Sequence, residues 1–300
     1  MRAFTSDTFV LPLPETHRFP ILKYRRIRER VEAELPHVRL VAAAPVSEAQ
    51  LAAVHEPDFL ARALGGTLTD REVRVIGFPQ IPELPWRERH SVGGTVDAAR
   101  AALEDGVAVN LAGGTHHASP GQGQGYCLFN DAAVAIRALQ AERRIRLALV
   151  IDLDVHQGNG TAACLAGDPA AFTLSVHGAR NFPVRKVPSD HDVPLPDGIT
   201  DADYLQIVDD AVAESLRHAT PDLVVYNAGV DVFEGDRLGR LAITADGVAA
   251  RDRLVFERCA TAGVPVAVAM GGGYAPDVEV IVGLHVATIR EASRWASHPC

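Results

Sequence analysis

Apolar positions along this chain fall into two rhythms. Short, mostly apolar runs at 107–111, 147–151, 171–176, 223–226 and 264–269 have strand length and many β-branched residues. Between them lie longer stretches with helical spacing, at 130–142, near 160–166, and at 201–219, 244–262 and about 277–296. Upstream, 21–35 reads as a basic amphipathic helix stopped by Pro36. Residues 47–54 read as a second, with a capping box from Ser47 to Gln50, and 93–103 as a third, ending before Gly106. Residues 2–6 suit a short strand, and the proline-rich segments 10–20 and 78–86 read as loops. Strands alternating with helices predict an α/β fold: one three-layer αβα domain over residues 1–300, its sheet mainly parallel and covered on both faces. No linker, internal repeat or low-complexity tract interrupts it.

Four of the apolar runs end in polar stretches that carry chemistry. They are Gly113-Gly114-Thr115-His116-His117, Asp152-Leu153-Asp154-Val155-His156, Asn227-Ala228-Gly229-Val230-Asp231 and Gly271-Gly272-Gly273-Tyr274. Sites in open α/β sheets lie beyond the carboxyl ends of the strands, so the four stretches should meet at one edge. On an extended chain Asp152, Asp154 and His156 share a side. Two carboxylates and an imidazole held together are unfavourable without a cation between them. Asp154, His156 and Asp231 would make a three-ligand site with a position left open, the catalytic form of a zinc site; iron, cobalt or manganese would also suit such ligands. Taken alone, Asp231 could as well be a turn or N-cap aspartate.

His116 and His117 would point apart on a regular strand. Both can serve one site only if the loop is irregular, which Gly113 and Gly114 permit. One could take a proton from water and one could protonate a leaving amine. Tyr274, on its glycine loop, could donate to a developing oxyanion. No serine or cysteine sits in a nucleophile elbow, and the glycine triplet lacks the spacing of a dinucleotide fingerprint. Together the groups describe metal-assisted hydrolysis of an amide or ester.

Charge and cysteine usage narrow the setting. The net charge of −9 argues against broad nucleic-acid binding and is compatible with a cationic substrate. Cys127, Cys164, Cys259 and Cys300 form no C-x-x-C pair and read as reduced thiols. No apolar leader or membrane-length stretch is seen, so a cytoplasmic protein without membrane partners is expected. His37, His55, His191, His218, His285 and His298 read as ordinary residues.

The five motifs Gly113–His117, 125–131, 152–159, 227–231 and 271–274 resemble, in order and spacing, the zinc-dependent histone deacetylase family. The likeness runs from about Pro14 to Arg290, and the Thr16-His17-Arg18-Phe19-Pro20 opening is similar to the bacterial, class IV-like branch. The resemblance implies an arginase/deacetylase fold and removal of an acyl group, commonly acetyl, from an acylated amine such as acetyl-lysine. It implies zinc on Asp154, His156 and Asp231, His116 held by Asp152, and His117 held by Asn159, where other branches carry aspartate. It places Gly125, Tyr126 and Phe182 along a narrow channel and Leu238 at the acyl pocket. It also implies a structural potassium on Asp152, Asp154, His156 and Ser175. A neutral Asn159 should leave His117 with a lower pKa than an aspartate would. His17 and Arg18 are expected near the channel mouth. Rival readings are an acetylpolyamine or long-chain acyl-lysine deacylase, an arginase-like binuclear hydrolase, and a binding protein that holds acylated amines without turnover.

Overall fold

The computed structural model describes residues 1–7, 11–14 and 16–296; His298 and Cys300 lie outside the described residues. Its strands are β1 (Arg2–Thr5), β2 (Arg39–Ala42), β3 (Val107–Asn110), β4 (Ala148–Asp152), β5 (Ala171–Gly178), β6 (His191–Leu195), β7 (Leu223–Asn227) and β8 (Val266–Ala269). They form one wholly parallel sheet in the order β2-β1-β3-β8-β7-β4-β5-β6. The central strands β3, β8, β7 and β4 are apolar up to the Asn110, Asp152 and Asn227 that end three of them, because helices bury both of their faces. Alternation still sorts them: Leu149, Ile151, Val224 and Tyr226 enter one core, while Ala148, Val150, Leu223 and Val225 enter the other.

The first core is closed by α1 (Lys23–Glu34), α8 (Asp201–Ala219), α9 (Ala245–Ala262) and α10 (Val278–Trp295), through residues such as Ile27, Val208, Val255 and Val282. The second is closed by α5 (Glu83–Asp105) and α6 (Asp131–Ala141), whose alanine-rich facing surfaces include Ala98, Ala102, Ala132 and Ala135. Around it lie the shorter α2 (Glu48–Ala52), α3 (Pro57–Gly65), α4 (Asp70–Ile76) and α7 (Asn159–Leu165). The layered α/β architecture is therefore the one expected, and the Ser47–Gln50 capping box is formed.

Three local expectations need correction. Segment 78–86 is not loop throughout: α5 begins at Glu83, so its 23 residues extend well upstream of 93. Pro82 occupies the N-cap and Pro85 the first turn, where a missing N–H breaks no helical hydrogen bond. Helices α3 and α4 went unread, although the Thr69–Glu72 capping box and the left-handed Gly66 and Gly77 that end them are visible as residue types. Strands β2 and β6 were missed because they are sheet edges. Each pairs on one side only and is half-exposed; the apolar run of β2 is short and rich in alanine, and β6 mixes polar residues with Pro194.

Candidate active site

The four strands whose polar ends carry chemistry, β3, β8, β7 and β4, are neighbours at the centre of the sheet. Parallel pairing puts all their carboxyl ends at one edge. There Asp154, His156 and Asp231, all buried, offer ligand atoms within 4.8 Å of one another. His156 Nδ1 lies 2.9 Å from Asp154 Oδ1 and 3.1 Å from Asp231 Oδ2. Backbone amides aim the carboxylates: His156 N–H donates to Asp154 and Val155 N–H to Asp231, both at 2.9 Å.

The electrostatics of this trio fit a cation. Burial and the charge of Asp154 push Asp231 up to about 7, while Asp154, itself opposed by burial, is held low by His116 and His156. Burial disfavours the His156 imidazolium, yet its hydrogen bonds to both carboxylates raise it to about 10. The trio thus holds a positive charge between two anions, the place a divalent ion takes in a site of this donor set. The glycines leave room for the carboxylates: at Gly272, φ +63°, a Cβ would sit 2.5 Å from the Asp231 carboxylate.

Beside the trio, Gly113 and Gly114 adopt φ +85° and +67° and turn the chain so that consecutive histidines face one place. Their ring centroids lie 4.1 Å apart. His116 Nδ1 is 2.7 Å from Asp152 Oδ2, and His117 Nδ1 is 2.7 Å from Asn159 Oδ1. The two rings then diverge. Burial lowers both, but the charges of Asp152 and Asp154 raise His116 to about 9. Burial and the positive charge of His116 and His156 drive His117 well below its ordinary value, as Asn159 contributes no charge. Tyr274 completes the edge. Burial and the nearby carboxylates hold its phenol well above 10, so it stays protonated.

These groups share one pocket of about 570 Å³. Gly125, Tyr126, Phe182 and Leu238 all line it. Phe182 stands edge-on to His117 with centroids 4.9 Å apart, and a Cβ at Gly125 would lie 2.8 Å from the His117 ring. Ser175 pairs with Asp152 across β4 and β5, and its hydroxyl lies 3.0 Å from His177 Nδ1. Asp152, besides His116, accepts from the Asp154 amide at 3.2 Å. His17 packs against Tyr126 and its Nε2 donates to the Gly77 carbonyl at 3.0 Å.

Several residues that organise the site escaped the sequence reading. Asp131 accepts from the Gly114 and Thr115 amides at 2.9 Å and from the Thr95 hydroxyl at 2.7 Å, pinning the double-histidine turn. Asn227 Nδ2 donates to Asp152 at 2.9 Å. Asp236 accepts the Tyr274 amide at 2.6 Å, and Lys23 donates to the Gly272 carbonyl, so two charged groups hold the glycine loop. The fully buried Arg251 donates through one nitrogen to the carbonyls of Leu153 and Gly229, tying together the loops that carry Asp154 and Asp231. Its charge is balanced by Asp252, to which Nε donates at 2.9 Å and which also accepts from Tyr226 and Thr288. Asp131 and Asn227 lay inside quoted motifs; Lys23 and Arg251 lay in ordinary-looking helices. His285, read as ordinary, is wholly buried with neither ring nitrogen hydrogen-bonded, and His55 is a buried core histidine bonded to Ser119 and Asn130.

Comparison with known proteins bears on the family and the fold. A histone deacetylase domain model matches residues 17–289. An uncharacterised protein of Picosynechococcus sp. is 44% identical over 279 residues, covering 92% of this chain and 93% of that one. Histone deacetylase 2 of Arabidopsis thaliana is 31% identical over 280 residues, covering 89% of this chain and 72% of that one. The crystal structure of an acetylpolyamine aminohydrolase from Burkholderia pseudomallei superposes with a TM-score of 0.79 at 21% identity, covering 98% of both chains, a likeness of fold.

Proposed function

The chain belongs to the histone deacetylase family, and from that premise we propose that it is a zinc-dependent amidohydrolase that removes an acyl group, in the first instance acetyl, from an acylated lysine. One domain spanning the chain carries the activity. The supporting observation is convergence: the buried Asp154–His156–Asp231 trio faces the same pocket as His117 and Tyr274. Those three residues would hold the ion, which when bound supplies Lewis acidity toward the acyl carbonyl and lowers the pKa of a water.

The remaining work falls to the chain's own side chains. His117 donates Nδ1–H to Asn159, which leaves Nε2 with the lone pair; its low basicity keeps it neutral, able to take a proton from the attacking water and to hand it to the departing amine as the C–N bond breaks. His116 keeps its proton against Asp152 and presents a positive charge beside the reaction centre. Tyr274 donates its phenolic hydrogen toward the oxygen that gains charge. Tyr126 and Phe182 flank the methylene stem and exclude water from it. A reducing, cytoplasmic setting belongs to the same reading, in keeping with the free thiols of Cys127, Cys164 and Cys259. No helix among the described residues is long and apolar enough to cross a membrane. The binuclear alternative finds little support: Asp236, the carboxylate next in line, is taken up by the amides of Leu238, Gly239 and Tyr274.

The test is acetate release from an acetyl-lysine peptide by zinc-loaded protein. Replacing Asp154 and Asp231 together by alanine should abolish it. Full activity in that double variant would sink the reading.

A further inference from the structure

The chain carries a net charge of −9, yet the mouth of its pocket is basic. Arg74 from α4, Arg180 from the turn after β5 and Arg240 from the loop after β7 all line it. A fourth cation, Arg18, lies close enough to the wall residue Tyr126 to act on its phenol electrostatically. The four come from separate segments, so the fold collects them at one opening. Arg180 and Arg240 share a single carboxylate, Asp197, each at 3.3 Å, which leaves one of their two charges uncompensated. Among the described residues the arginines of this opening that form ion pairs are Arg180 and Arg240, and Arg18 and Arg74 form none. Among the described residues the carboxylates lining the pocket are Asp154 and Asp231, whose charge faces the proposed ion at its floor.

Like charges oppose each other at such an opening, and opposite charges concentrate there. Resting on the deacylase reading above, we infer that the substrate is an acyl-lysine within an acidic peptide segment, with aspartate or glutamate beside the modified residue, and that polycationic acetylpolyamines are turned away. The acyl-lysine stem occupies the aromatic walls, and the flanking carboxylates meet the exposed guanidinium groups at the rim. Arginine suits this role because its planar fork can take a carboxylate by two hydrogen bonds. Salt will weaken the preference because the rim is solvent-exposed.

The experiment compares kcat/KM for three acetyl-lysine peptides, identical except for flanking Glu, Gln or Lys, and for acetylspermidine, at low and at high salt. The Glu-flanked peptide should exceed the Lys-flanked one by about ten-fold at low salt, with the gap closing in about 0.5 M salt. The double variant Arg74→Glu/Arg180→Glu should reverse the order. Hydrolysis of all four substrates with a flat or opposite order overturns this inference alone. So does a Glu preference that the double variant leaves unchanged, since the selectivity would then lie elsewhere. Hydrolysis of none of them overturns the deacylase reading, and this inference with it.

Discussion

Asn159→Asp isolates the feature that separates the two histidines. In the native site Asn159 Oδ1 accepts from His117 Nδ1 at 2.7 Å and brings no charge, while burial and two cationic neighbours disfavour the His117 imidazolium. An aspartate there would place a full negative charge about 4 Å from the centre of that imidazolium. At an effective dielectric of about 20 the attraction is about 4 kcal/mol. Burying the new carboxylate removes a large part of this. Asn159 Nδ2 also donates to Gln124 Oε1 at 3.2 Å, so Gln124 must turn its amide to present Nε2 to an aspartate. Retaining roughly half leaves about 2 kcal/mol, or about one and a half pH units. If neutral His117 accepts the proton, the acid limb of the kcat/KM profile should move up by about that much, because the aspartate stabilises the protonated, inactive ring. The assay is a pH–rate profile on zinc-loaded native and variant protein between about pH 4 and 9. An acid limb that stays in place, in a variant that folds and binds zinc normally, would refute both the base assignment and the role given to Asn159.

Other outcomes follow from neighbouring geometry. Tyr274→Phe should lower kcat by about 10²–10³ while shifting KM and Tm little, since the hydroxyl acts on charge that develops only during reaction; unchanged kcat would remove the tyrosine from the chemistry. Arg251→Met/Asp252→Asn, which removes the buried charge pair together, should weaken zinc binding by about 10–100-fold in a chelator competition, because the carbonyls of Leu153 and Gly229 lose their shared donor. Native zinc affinity in that double variant would show that the tether does not set the ligand loops. Metal-free protein should lose stability at alkaline pH. His116 and His156 are raised to about 9 and about 10, so their contribution is complete below about 6.5 and lost as pH rises through those values. For His116 alone that is roughly 3 kcal/mol. If zinc binds through His156 as proposed, it should take the place of that proton and flatten the decline, and a metal-free Tm constant from pH 6 to 10 would contradict this account.

Much of the site was legible because its chemistry sits in short motifs at strand ends. Asp154 and His156 could be named from residue type and spacing, Asp231 only in company with the other strand ends, and Gly113-Gly114 permitted the irregular turn that lets His116 and His117 face together. The residues that hold these groups were not legible. Arg251 sits mid-helix with nothing local to mark it, and only the packing of α9 beneath β4 and β7 brings its guanidinium to the carbonyls of two ligand loops. Lys23 likewise reads as one cation in a basic helix until α1 packs against the glycine loop of Tyr274.

The chain by itself determined the alternation of strands and helices, the two-sided apolar core and the identity of the candidate ligating and proton-bearing groups. These follow from periodicity and from what each side chain can bond, which are local properties. Tertiary structure alone decided the strand order that makes β3, β8, β7 and β4 neighbours, the burial and nearby charges that drive His116 and His117 further apart in proton affinity, and the basic rim on an acidic protein. Each of these depends on distances between residues far apart in sequence. Burial and Coulomb interactions act across space, so their result appears only once the chain is folded.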